Sequence, residues 1–117
     1  MKKLNKIMLA LSILPTLLTS VFLFFMNDTV PMHYNASGAV DRYGSKYENF
    51  IFPAIILFMY AFYMVYTKIY TKYSTNSVEK INNNVKITAI LVTSIIAAFN
   101  ILQLMFLILA ILKPDST

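Results

Sequence analysis

Three stretches without a single charged residue dominate this chain: residues 7–27, 49–67 and 87–112. They hold 21, 19 and 26 residues and together exceed half of the 117 residues. As helices rising roughly 1.5 Å per residue, each comes close to, or exceeds, a hydrocarbon core of about 30 Å. Soluble domains carry about 25% charged residues. Here the figure is 13%, with 58% hydrophobic residues and a mean hydropathy of +0.64. The pattern excludes a water-soluble globular protein and an intrinsically disordered one. Backbone polar groups in lipid must bond internally, so each run is expected to be helical. The expectation is one all-α integral membrane domain over residues 1–117. Its transmembrane helices fall at about 7–27, 49–69 and 87–112, and a structured extracellular loop spans 28–48.

The first run follows Lys2, Lys3 and Lys6, as the core of a secretory leader would. It ends on bulky Phe22, Leu23, Phe24, Phe25 and Met26 with no small-residue cleavage pattern, so a retained span is expected. Lys and Arg alternate along the chain in a telling way. Three precede the first run, two follow it (Arg42 and Lys46, beside Asp28, Asp41 and Glu48), four lie in the second loop (Lys68, Lys72, Lys80 and Lys86, beside Glu79) and one, Lys113, stands in the tail with Asp115. Positive residues in short loops collect on the cytoplasmic side. The expected topology is a multi-pass protein of the cell membrane, with the N-terminus cytoplasmic and the C-terminus outside. There is no cysteine, which removes disulfides, thiolate nucleophiles and cysteine metal sites. The net charge of +5 flanks apolar runs instead of forming an aromatic-interleaved basic face, so no nucleic-acid partner is expected. A bias towards Asn, Ile, Lys, Tyr and Phe over Gly, Ala, Arg and Pro fits an AT-rich bacterial genome.

Within the spans, Pro15 removes one ladder bond from the first helix, and Asn49 is a candidate N-cap with Pro53 in the first turn of the second. The third span is the longest and is expected to tilt or protrude. Residues 74–84 read as a polar connector. Ser12, Thr16 and Thr19 share one face of the first helix, and Ala89, Thr93, Ala97, Asn100 and Gln103 one face of the third. Small and hydroxylated residues let membrane helices approach and hydrogen-bond, so these are candidate packing residues. Asn100, at membrane depth, is expected to face another helix or a partner subunit. Tyr60, Tyr63, Tyr66, Tyr70 and Tyr73 form a stripe on the second helix that reads as an aromatic belt. No ionisable residue lies inside a run, which argues against a proton pump or ion-coupled transporter built from this chain alone.

The first loop holds the only histidine, the only arginine and both glycines. Residues 35–38 read as a tight turn between two extended pieces, 30–34 and 39–43, with Gly38 and Gly44 at turn positions. Tyr34, Tyr43 and Tyr47 are expected to rest on the membrane interface. The expected interior is a polar network: Asp41 or Glu48 with Arg42 or Lys46, and His33 and Asn35 bonding to backbone. A metal site from His33, Asp41 and Glu48, or a His33–Asp41 acid/base pair, is the sharper alternative. It lacks both a ligand-rich spacing and an identifiable nucleophile. No metal, cofactor or enzymatic activity is therefore expected. Asn35-Ala36-Ser37 matches a glycosylation sequon, which in a bacterial chain reads as chance.

The ordered set Pro31, His33, Tyr34, Asn35, Gly38, Asp41, Tyr43, Gly44 and Lys46, followed by Pro53, resembles a bacterial membrane domain of uncharacterised function. That domain forms the N-terminal part of SdpI-type immunity proteins, which protect a cell from its own sporulation-delaying peptide toxin and in some cases take part in signalling. The resemblance covers about residues 11–60. Those immunity proteins have about twice as many spans as this chain. The resemblance implies a non-catalytic protein that binds a membrane-active peptide or a signalling partner. Its implied signature is His33, Asn35, Gly38, Asp41, Tyr43, Gly44 and Lys46. The smaller number of spans suggests a free-standing domain or a homo-oligomer that completes the surface, and the Asn100 face suggests the alternative of an accessory subunit of a larger membrane complex.

Overall fold

The computed structural model describes residues 2–112. Lys113 and Asp115, and with them the expectation for the C-terminal tail, lie outside the described residues. In chain order the elements are α1 (Lys2–Phe22), a 3₁₀ turn (Leu23–Phe25), β1 (Thr29–Tyr34), β2 (Val40–Ser45), a second 3₁₀ turn (Lys46–Phe50), α2 (Ile51–Tyr73) and α3 (Val78–Leu112). All three helices are long and apolar enough to cross a membrane, which fits a multi-pass membrane protein.

The fold is not all-α. β1 and β2 pair antiparallel, with Thr29 opposite Ser45, Val30 opposite Gly44 and Pro31 opposite Tyr43. The physical reason is local. Pro31, Gly38 and Gly44 disfavour a helix over this loop, while Val30, Tyr34, Val40 and Tyr43 suit a pleated surface. The register shifts on either side of His33, just after Pro31 has withdrawn one donor from the ladder.

The helices pack on narrow inner faces and leave their broad apolar outer faces, Phe58, Phe62 and Ile101 among them, uncovered. Such all-round apolarity is what a lipid-facing helix requires. On α3 the buried Ala89, Ile96, Gln103 and Ala110 stand seven residues apart, the spacing of a left-handed coiled-coil seam. One core cluster gathers Met8, Ile56, Tyr63, Ala89 and Ile96 from all three helices. A second gathers Met26, Val30, Leu107 and Ala110, so the hairpin closes one end of the bundle through Val30.

Proline 15 is buried within α1. Because it has no N–H, the carbonyl of Leu11 loses its helical donor. The side chain of Asn100 on α3 supplies one: its Nδ2 donates to Leu11 O at 2.9 Å and to its own Ile96 O at 2.9 Å. Asn100 thus faces another helix of this chain. Hydroxyls on the helices are handled similarly, Ser12 Oγ donating back to Met8 O at 2.7 Å. The Oγ1 atoms of Thr16 and Thr93 are buried with no partner among the described residues. Ala97 lies half-buried on α3.

Two boundaries differ from expectation. Asn49 does not cap α2: Ser45 caps the preceding 3₁₀ turn by accepting from Tyr47 N, and that turn runs directly into the helix, with Pro53 in its first turn. The expected connector shrinks to residues 74–77, because α3 begins at Val78. Ser77 Oγ accepts from Lys80 N at 3.2 Å and Glu79 sits in the first turn, both favourable at a helix N-terminus. Farther along, Asn84 Nδ2 donates to Tyr70 Oη at 2.7 Å and ties the polar start of α3 to α2.

Candidate functional site

The hairpin tip is built around one side chain. Asn35 Oδ1 accepts from Ser37 N at 3.0 Å, Ser37 Oγ at 2.7 Å and Ala39 N at 3.1 Å. Backbone bonds from Asn35 N to Ala39 O and from Gly38 N to Asn35 O close the turn. Gly38 adopts φ +85°, the left-handed region that other residues resist. Asn35 and Gly38 therefore act as one device, and Asn35 bonds to backbone as expected.

Three side-chain pairs brace the strands and the base of the hairpin. His33 Nδ1 meets Asp41 Oδ1 at 2.5 Å across the ladder, both side chains substantially exposed. Arg42 Nη1 donates to Glu48 Oε1 at 3.2 Å. Lys46 Nζ lies 3.5 Å from Asp28 Oδ1 and 5.5 Å from the Tyr47 ring centre, while its backbone N donates to Asp28 O at 2.9 Å. Of the sequence expectations, Glu48 with Arg42 is found. His33 bonds to Asp41 instead of backbone, and Lys46 takes Asp28. Gly44 has a steric duty: a Cβ there would collide with the Glu48 carboxylate and press on Met32 Cγ. The absence of a side chain at Gly44 makes room for Glu48 beside Arg42.

The tyrosines divide. Tyr34 packs its ring 6.3 Å from that of Phe106 on α3, and Phe106 in turn meets Phe52 at 5.5 Å. Its hydroxyl is buried without a hydrogen-bond partner among the described residues. Burial pushes the Tyr34 phenol above its ordinary value, and the neighbouring Tyr43 phenol adds to the effect. Tyr43 is half-buried opposite Pro31, and Tyr47 is exposed.

Below the hairpin lies a polar junction that residue reading did not assemble. Gln103 Nε2, on α3, donates to Thr19 Oγ1 of α1 at 2.7 Å and to the backbone carbonyl of Asn49 at 2.9 Å. Asn49 Nδ2 donates to Lys46 O at 2.9 Å. Thr19, Asn49 and Gln103 are all buried. This junction fixes the turn that follows β2 to the helices beneath it. Gln103 and Thr19 were visible in the sequence as packing residues. Their link to Asn49 required the fold.

Chemically, the exposed His33–Asp41 pair is able to accept or donate hydrogen bonds to a partner. The two serine hydroxyls of the hairpin are engaged in turn bonds, Ser37 with Asn35 and Ser45 with Tyr47 N. Glu48 is directed to Arg42, and among the described residues no three His, Asp or Glu side chains converge.

Residues 10–57 match the model of a family described as a domain of unknown function (DUF1648). The match runs from α1 through the hairpin into α2 and so encloses every signature residue of the loop. No curated protein and no solved structure matches the chain.

Proposed function

We propose that this chain is a non-catalytic recognition protein of the bacterial cell membrane, whose extracellular hairpin binds a membrane-active peptide in an extended conformation. The observation that carries this reading is the hairpin's architecture. It is a two-stranded sheet fixed to the bundle on its β1 side through Val30 and Tyr34, while among the described residues β2 has no strand on its other side. An open strand edge offers main-chain donors and acceptors to an added extended segment, and side chains beside it supply specificity. His33, Asp41, Arg42 and Tyr43 stand on or beside that strand. The resemblance to the N-terminal module of SdpI-type immunity proteins supports a peptide as the ligand, and the matching domain spans the hairpin. Tyr43 and Lys46 complete the set that contacts the peptide. Asn35, Gly38 and Gly44 hold the shape.

The alternative role as an accessory subunit rested on the Asn100 face, and the Asn100 amide donates within this chain, to Leu11 O and Ile96 O. The test of the peptide reading is protection. The chain is expressed in a cell sensitive to a membrane-active peptide encoded beside it, next to the variants His33→Ala and Asp41→Ala. Survival is expected with the wild type and loss of protection with either variant at equal membrane abundance. A wild type that gives no protection overturns the proposal.

A further inference from the structure

The two ends of the bundle treat charge differently. At the hairpin end all three acids are paired: Asp28 with Lys46, Asp41 with His33, Glu48 with Arg42. The opposite end carries Lys3, Lys6, Lys68, Lys72, Lys80 and Lys86 against Glu79, and among the described residues none of these lysines forms an ion pair. Between the start of α1, the last turns of α2 and the start of α3 lies an open cleft of about 760 Å³. Its lining includes Lys68 and Lys72, the hydroxyl-bearing Thr67 and Thr71, and the apolar Met64 and Val85.

Depth identifies what such a cleft meets. From Ile51 to Lys68 along α2 is about 26 Å, and to Lys72 about 32 Å, at 1.5 Å per residue. A hydrocarbon core is about 30 Å thick. The two lysines therefore stand at the level of the headgroups, and Met64, one turn before Lys68 on α2, lies on the acyl-chain side of them. Basic pockets between membrane helices on the cytoplasmic side take anionic lipid headgroups. A soluble anion would gain nothing from the apolar lining, and in a zwitterionic lipid the headgroup cation offsets the phosphate charge that the two lysines meet.

We infer that this cleft is a binding site for an anionic phospholipid, its phosphodiester held by Lys68 and Lys72 and its glycerol and upper chains resting on Met64 and Val85. The inference rests on the membrane-spanning reading and is independent of what the hairpin binds. Thr67 Oγ1 already donates to Met64 O at 3.1 Å, so Thr71 is the hydroxyl available to the headgroup. Bound lipid would join the three helices at the end where the hairpin is not present to clasp them.

The test uses the full chain in a mild uncharged detergent with equimolar phosphatidylglycerol and phosphatidylcholine of identical acyl chains, bound lipid being counted by native mass spectrometry. Phosphatidylglycerol should be retained about fivefold or more over phosphatidylcholine, the effect of one or two lysines near an anionic headgroup. The double variant Lys68→Gln, Lys72→Gln should bring the ratio close to unity. Lys80→Gln, Lys86→Gln removes the same charge outside the cleft and should leave the preference intact. Lys68→Arg, Lys72→Arg keeps the charge and should retain it, which guards against a folding defect in the first variant. Equal retention of the two lipids by the wild type overturns the inference. So does an equal loss in both glutamine variants, which would mean a diffuse field, and so does displacement of lipid by inorganic phosphate, which would assign the cleft to a free oxyanion. His33→Ala should leave the lipid ratio unchanged, so a failure of the peptide reading is distinguishable.

Discussion

Gly38 and Tyr34 show how much a single position decides in the hairpin. A Cβ at Gly38 would meet nothing within 4 Å, so Gly38→Ala isolates the cost of the left-handed backbone. A destabilisation of about 1–2 kcal/mol is expected in detergent unfolding, with Gly38→Asn recovering much of it because asparagine tolerates this region. An alanine variant as stable as the wild type would mean that the turn has another conformation. Tyr34 is the opposite case, a ring well placed and a hydroxyl without a partner. Tyr34→Phe keeps the contact with Phe106 and is expected to be neutral or stabilising by up to about 1 kcal/mol. The phenol also gives a pH signature. Its folded value is raised, so the unfolded chain loses its proton first, near the ordinary tyrosine value of about 10. Its contribution to stability is whole below that pH and is lost as pH rises through the folded value. Tyr34→Phe should flatten this alkaline loss in a pH series of unfolding midpoints.

At the scale of the elements, α1 and α3 are joined by the consequence of a proline. Pro15 frees the Leu11 carbonyl and Asn100 answers it. A double-mutant cycle over Pro15→Ala and Asn100→Leu is expected to give a coupling of about 0.6–1.7 kcal/mol, the range for interhelical hydrogen bonds in membranes. Asn100→Leu should cost less once Pro15→Ala has restored the helical donor. Additive effects, measured by unfolding in mixed micelles, would dissociate the two residues. The hairpin as an element depends on the same logic one turn farther along, where Gln103 holds the Asn49 carbonyl and the Thr19 hydroxyl. Amide exchange in β2 is the quantity that loosening this junction would alter.

Across the whole molecule, 62 Å in its longest dimension, charge separates the ends. The absence of cysteine makes the topology directly measurable. Ala36→Cys, on the exposed hairpin tip, should react with a membrane-impermeant maleimide in intact cells. Thr75→Cys, in the exposed connector between α2 and α3, should react only after lysis. The reverse pattern would invert the proposed orientation, put the hairpin in the cytosol, and remove the external peptide from consideration.

Membrane-scale features were legible in the linear sequence because they depend only on run length and on which residues flank each run. Three apolar helices, the turn at residues 35–38 and the inward-facing polar positions of α1 and α3 follow from such local patterns. Partner choice does not. That His33 takes Asp41, that Lys46 takes Asp28, that Gly44 clears space for Glu48, and that Asn49 gives its carbonyl to Gln103 each depend on atoms brought together from separated segments. The lysine cleft is of the same kind: its residues come from the beginnings of α1 and α3 and the end of α2, which share a place only once the chain has crossed and returned. Sequence fixes which residues shun water or seek it through their transfer free energies. Which hydrogen bonds and cavities result is set by how the inner faces of the helices pack against one another.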